Sequence, residues 1–137
     1  MEADHTWQNR EKPLVLWNQR WEYDKNPEEF FQAILALSKE NIPFDLALCG
    51  KSFQKQPKAF ESATRALAER LIHCGYAEKY LYRRFLWEAT VTVSTALHEF
   101  FGVSILEAAL CETLPLVPNR LSYPEILPSE FHEHCLY

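Results

Sequence analysis

The chain has 137 residues, a net charge of −5 and 47% hydrophobic residues against 24% charged ones. That is the size of one domain, and it is too acidic to hold RNA or DNA by itself, because phosphate neutralisation by Lys and Arg supplies much of such affinity. No apolar run approaches the ~18 residues of a membrane span, and the polar N-terminus lacks the apolar core of a signal peptide.

Residues 1–12 read as a flexible lead-in, with the domain proper over 13–137. Leu14-Val15-Leu16-Trp17 is a continuous apolar run that fits a strand buried on both faces. Asn18 to Lys25 is a polar loop studded with aromatics. Asn26-Pro27-Glu28-Glu29 starts a helix, with Asn as cap, Pro at the first position and Glu three residues after the cap. Phe30, Phe31, Ile34, Leu35 and Leu37 carry that helix to about Glu40. Pro43 ends it, and Phe44 to Cys49 forms a second strand closing on Gly50.

A loop containing Ser52 to Gln56 leads to a helix starting at Pro57, with Phe60, Ala63 and Leu67 on one face. Leu71 to Gly75 is a third strand, and Glu78 to Glu88 a third helix carrying Leu81, Phe85 and Leu86. Val91 and Val93 mark a fourth strand. After Gly102, a helix runs from Val103 to about Glu112. Leu114 to Val117 gives a fifth strand and Pro118-Asn119-Arg120 a turn. Tyr123-Pro124-Glu125-Ile126 reads as a stiff loop, and Cys135-Leu136-Tyr137 as the start of a sixth strand. Strand and helix alternate with short connections, which predicts an α/β domain with a doubly wound, mostly parallel sheet. Ligands of such sheets bind beyond the carboxyl ends of the strands. Here those ends are the segments beginning Asn18, Gly50, Gly75, Ser94 and Pro118.

The cysteines Cys49, Cys74, Cys111 and Cys135 are far apart, with no Cys-x-x-Cys spacing. They read as reduced, buried thiols of a cytoplasmic protein rather than a disulfide framework. His132, His134 and Cys135 cluster in a polar terminal loop, a poor zinc site. The dinucleotide fingerprint is absent, and Gly50-Lys51-Ser52 imitates only the tail of a phosphate loop.

Chemistry concentrates around Gly102. Glu99 precedes that glycine and Glu107 follows it, with seven residues between the two carboxylates. A strand, a glycine turn and a helix start form an anion-binding geometry, since first-turn N–H groups lack intrahelical partners. Glu107 lies about 7 Å further along the helix axis at 1.5 Å per residue. Phosphates at the helix start with hydroxyl-bearing groups on either side is the layout of a nucleotide-sugar. The same acids also fit glycoside hydrolysis. Arg20 and Lys25, five apart on the first strand's loop, suit a diphosphate as fork and point charge, or are an ordinary solvated pair. Trp17, Trp21 and Tyr23 serve packing or ligand stacking, and His98 is a general base or a structural residue.

Arg20…Lys25 together with Glu99-x7-Glu107 and its Ala-rich helix resembles the C-terminal, donor-binding half of retaining GT-B glycosyltransferases of the large group-1 family. Trp17-x-x-Arg20-Trp21-Glu22-Tyr23-Asp24-Lys25-Asn26-Pro27-Glu28, Ser94 to Val103 and Tyr123-Pro124-Glu125-Ile126 are similar to the tRNA-queuosine mannosyltransferase branch. That resemblance implies that Arg20 and Lys25 hold the donor diphosphate and, with Glu99, carry catalysis. It implies that Glu99 contacts the donor sugar, with the backbone of Phe100, Phe101, Gly102 and Val103 nearby. Glu107 would accept from the ribose, and Gly50, Gly75 and Tyr76 would lie on the base side. GDP-mannose is the implied donor, with a UDP-sugar as the other option and no metal or further cofactor. The implied partners are an N-terminal acceptor-binding domain, absent here, and through it a tRNA acceptor. Other relatives carry final helices beyond the equivalent of Tyr137, and many have a glycine where Glu112-Thr113 stands. The implied activity is glycosyl transfer by a two-domain protein, with this chain inactive alone. A non-catalytic nucleotide-sugar-binding subunit or sensor is the alternative.

Overall fold

A computed structural model describes residues 10–50 and 58–137. The strands are β1 (Leu14–Trp17), β2 (Asp45–Cys49), β3 (Leu71–Gly75), β4 (Val91–Val93) and β5 (Leu114–Leu116). The helices are α1 (Pro27–Lys39), α2 (Lys58–Ala66), α3 (Lys79–Glu88), α4 (Val103–Leu110), α5 (Tyr123–Ile126) and α6 (His132–Cys135). All pairings in the sheet are parallel, in the order β3-β2-β1-β4-β5. The doubly wound reading is therefore correct, and the order reverses between β1 and β4. That reversal opens a crevice beyond the strand ends, where such sheets take ligands.

Alternation along β1 explains why the sheet is covered on both faces. Val15 and Trp17 join Phe30, Phe31, Ile34, Phe60 and Ala63 in one core, beneath α1 and α2. Leu14 and Leu16 join Phe85, Leu86 and Ala108 in the other, beneath α3 and α4. A strand with period-2 side chains feeding two apolar layers must be apolar throughout. Trp17 tilts onto Phe30 at 4.6 Å, and Trp21 stacks on Phe60 at 4.4 Å. Both tryptophans are thus core, while Tyr23 is exposed. At the opposite end of the sheet, the Arg10 guanidinium bridges Asp45 at 2.8 Å and Glu88 at 2.9 Å.

Several local expectations are corrected. Tyr123–Ile126 is a short helix, because Pro124 in its first turn and Glu125 behind it both favour a helix start. Cys135–Tyr137 does not begin a strand of its own: α6 ends at Cys135, and Leu136 makes a single parallel bridge to Val117. α4 stops at Leu110, with Cys111 as its cap. Asn26 stands at the α1 N-cap, but in the left-handed region at φ 52, and its amide donates to Glu29 Oε2 at 2.6 Å rather than capping the backbone. Cys74 is exposed and Cys111 half-buried, so only Cys49 and Cys135 are buried thiols. The Ser52–Gln56 loop, Pro57 and the Lys51-Ser52 tail lie outside the described residues.

Candidate functional site

Two loops flank the crevice, and the backbone ties them together. After β1 the chain forms a 3-10 turn at Tyr23–Lys25. The Asp24 carbonyl accepts from Leu97 N at 2.8 Å and His98 N at 3.3 Å, both on the loop after β4. Thr95 Oγ1 donates to the Lys25 and Asn26 carbonyls at 3.0 and 2.7 Å. This stitching presses the Lys25 side chain under the second loop, leaving the residue only 5% exposed. There Lys25 Nζ donates to the His98 carbonyl at 2.9 Å and to Glu99 Oε2 at 3.1 Å. His98 therefore contributes its backbone oxygen at this point.

Below the second loop lies a polar network. Ser94 Oγ and the Tyr123 hydroxyl are 2.6 Å apart, the Ala96 N–H donates to Ser94 Oγ at 3.2 Å, and the Tyr137 hydroxyl donates to the Ser94 carbonyl at 2.8 Å. Burial pushes the Tyr123 hydroxyl up to about 12; its Ser94 hydrogen bond pulls the other way, and the Glu99 charge adds to the rise. Arg120 braces the same loop, with Nε and Nη2 donating to the Ala96 carbonyl at 3.2 and 3.0 Å.

Gly102 caps α4 at φ +71. A Cβ there would come within 2.7 Å of Ile126 Cδ1 and 3.4 Å of the Tyr123 ring, so glycine makes this turn over α5 without left-handed strain and without displacing the Ile126 side chain. Phe100, Phe101 and Val103 turn their side chains to solvent, at 88%, 74% and 59% exposure. The first turn of α4 is in turn fastened to the end of β1. Asn18 Nδ2 donates to the Ser104 carbonyl at 2.9 Å, and Gln19 Nε2 to Ser104 Oγ at 2.9 Å.

Arg20 takes a different position from Lys25. It is exposed, 3.4 Å from Asp24 Oδ2, and it borders a cleft of about 210 Å³ with Asn18, Gln19, Cys49, Gly50, Tyr76, Ala77 and Tyr82. The structure thus brings Arg20, Gly50 and Tyr76 to one cleft. Gly75 lies behind it, its carbonyl accepting from Gly50 N at 3.0 Å. Glu107 is exposed, and its charge helps raise the Tyr82 hydroxyl to about 12, a rise due first to burial and opposed by the hydrogen bond from Asn18. A larger hollow of about 520 Å³ between α1 and α2 is lined by Tyr23, the stacking candidate, but by none of the predicted catalytic, donor-binding or base-side residues.

Sequence reasoning overlooked Asn18, Gln19, Tyr82, Arg120 and Tyr123. The first two carried a usable signal, since consecutive amide side chains directly after a buried strand must find partners at the strand's end. The other three act from elements distant in sequence, and no local pattern marks them.

The family model for "Glycosyl transferases group 1" matches residues 3–133. Among curated proteins the chain is similar to the tRNA-queuosine alpha-mannosyltransferase of Drosophila melanogaster, with 40% identity over 116 residues. The match covers 85% of this chain and 31% of the relative, so the chain spans about a third of that protein's length. Its fold is similar to the C-terminal domain of a glycosyl transferase group 1 family protein, LpcC, from Francisella tularensis. That comparison has a TM-score of 0.74 and 16% identity, over 99% of this chain and 74% of the other. HepE from Anabaena, solved in complex with UDP, gives a TM-score of 0.70 at 17% identity, over 85% of this chain and 32% of the other.

Proposed function

The chain belongs to the group 1 glycosyl transferases, and on that premise we propose that it is the donor-binding domain of a retaining mannosyltransferase that uses GDP-mannose. The acceptor we propose is the queuosine nucleoside of tRNA, read by a separate N-terminal domain, and we take the cytoplasm as its compartment because tRNA is the acceptor class. The name of the 40% identical relative supports the sugar and the acceptor.

One observation carries the reading: the Lys25–Glu99 pair has capacity left on both partners. An ammonium has three N–H donors, and Lys25 spends one on His98 and one on Glu99. The third remains for a phosphate oxygen. Glu99 accepts from Lys25 and also bonds the Tyr123 hydroxyl, and the roughly four lone-pair sites of a carboxylate leave room for a sugar hydroxyl. The pair can therefore grip a sugar and its phosphate together, beside the helix start at Gly102 that favours an anion.

In the transfer, the bond from the anomeric carbon to the donor phosphate oxygen breaks and a bond to the acceptor oxygen forms on the same face. The acceptor's proton leaves with the nucleoside diphosphate. Charge grows on the departing diphosphate, where Lys25 is a positive group fixed by its bonds to His98 and Glu99, and Arg20, exposed at the neighbouring cleft, adds a second positive charge in place of a metal. Glu107 accepts from the ribose, and the cleft at Gly50 and Tyr76 takes the base.

The test is thermal unfolding of the 137-residue chain with GDP, GDP-mannose, UDP and UDP-glucose. A ligand at 100 times its dissociation constant adds about 2.7 kcal/mol, and GDP-mannose should give the largest shift. The absence of a shift with all of them overturns the reading. Binding followed by no transfer, even in a full-length protein, would instead indicate a nucleotide-sugar sensor.

A further inference from the structure

Asn18 has its whole amide engaged. Oδ1 accepts from Thr92 Oγ1 at 2.8 Å, and Nδ2 donates to the Ser104 carbonyl at 2.9 Å and to the Tyr82 hydroxyl oxygen at 3.2 Å. With both ends of the amide committed, its orientation is set by the network. Tyr82 consequently receives a hydrogen bond from Asn18, and its own phenolic proton must point elsewhere. Among the described residues that proton has no acceptor. Tyr82 lines the cleft with Arg20, Gly50 and Tyr76, and Glu107 stands three residues after Ser104 on α4, on the helix face whose Ser104 carbonyl shares the Asn18 amide with Tyr82.

We propose that the Tyr82 hydroxyl is a ligand-binding donor to a ribose hydroxyl of the bound nucleotide, aimed by Asn18; this rests on the nucleotide-sugar reading of the site. The chemistry is complementary. A ribose hydroxyl donates its proton to the Glu107 carboxylate and uses its oxygen to accept from Tyr82. A carboxylate alone can only accept, so the two side chains together satisfy both roles of one hydroxyl. Asn18 is a positioning residue: it ties α3, β4 and the first turn of α4 to the end of β1, and so fixes Tyr82 relative to the anion-binding turn.

The experiment is calorimetric titration of the 137-residue chain and its Tyr82→Phe variant with GDP and with 2′,3′-dideoxy-GDP, or with the uridine pair if the wild type takes UDP. Tyr82→Phe should weaken GDP by about three- to tenfold, the effect of one hydrogen bond. It should leave the dideoxy ligand within about twofold of wild type, since the partner hydroxyl is already gone. Equal losses for both ligands, or no loss for either, would overturn the assignment of Tyr82. A wild-type chain that binds none of these nucleotides would instead overturn the reading of the site itself. The variant keeps the Asn18 bonds to Ser104 and Thr92, and an unchanged ligand-free melting temperature checks that its fold is intact.

Discussion

Lys25 and Glu99 meet at 3.1 Å across the ends of β1 and β4, with 7% and 15% of their side chains exposed, whereas Arg20 on the same loop is more than half exposed. The two cations therefore differ in what they do for the protein before any ligand arrives. Lys25→Ala should lower stability by about 1–3 kcal/mol, because Glu99 and the His98 carbonyl lose a buried donor. Arg20→Ala should leave stability within about 0.5 kcal/mol, its ion pair being solvated. Both should weaken nucleotide diphosphate binding. Urea titration paired with calorimetry separates the effects, and equal destabilisation by the two variants would contradict the asymmetry.

On the proposed reading, Glu99 holds the sugar and Glu107 the ribose. Glu107→Ala should weaken GDP and GDP-mannose alike, since its exposed carboxylate holds no ion pair among the described residues. Glu99→Gln retains an acceptor for Lys25 and should weaken GDP-mannose by roughly tenfold, the scale of one charge-assisted bond, with little effect on GDP. Equal losses on GDP for both variants would contradict the division.

Gly50 and Gly75 share a positive φ, +139 and +134, but not their surroundings. A Cβ on Gly50 would meet the Gln19 carbonyl oxygen at 2.6 Å, while one on Gly75 meets nothing within 4 Å. Both alanine variants carry backbone strain of order 1–3 kcal/mol. Gly50→Ala must in addition displace the backbone that leads to Arg20. It should be the more destabilised of the two by chemical denaturation and should lose nucleotide affinity; Gly75→Ala should retain it.

Glu112 stands at φ +64 just past α4, where glycine is the usual residue. Glu112→Gly should raise stability by about 0.5–1 kcal/mol by removing left-handed strain from a residue with a Cβ. A lower melting temperature would show that the side chain contributes more than its conformation loses.

Stability should fall in alkali. Burial holds Cys49 at about 12 against 9.0, and Tyr82 and Tyr123 at about 12 against 10.0. Below pH 9 both states keep these protons and the full stability is present. Between 9.0 and about 12 for Cys49, and between 10.0 and about 12 for the tyrosines, the unfolded chain releases them first, so each group removes up to about 1.4 kcal/mol per pH unit within its window. In urea midpoints measured with reductant at pH 8, 10 and 11, Cys49→Ala should fall less steeply than wild type. Parallel curves would overturn the role of Cys49.

The sheet was legible because its chemistry is local. Val15 and Leu16 lie in an unbroken apolar run, and a run that cannot choose a face must be covered on both. Asn26 and Tyr123 show where this fails. Asn26 has the composition of a cap, but its backbone lies in the left-handed region and its carbonyl is held by the Thr95 hydroxyl from 69 positions away. Tyr123 reads as a loop aromatic until Gly102 and Ser94 close over it. In the candidate site, residue types and the glycine turn were legible, and the partnerships were not. Nothing near Lys25 in sequence announces that its ammonium is bonded to Glu99, nor that Arg20 faces a different cleft.

The bonds from Asp24 to Leu97 and His98, with those from Thr95 to Lys25 and Asn26, make the two loops a single inheritable part. A graft of residues 18–26 from a relative would arrive without the backbone that holds its lysine down, and a graft of 94–102 would arrive without the lysine. On the proposed reading, exchange of donor preference between relatives therefore has to move both segments at once.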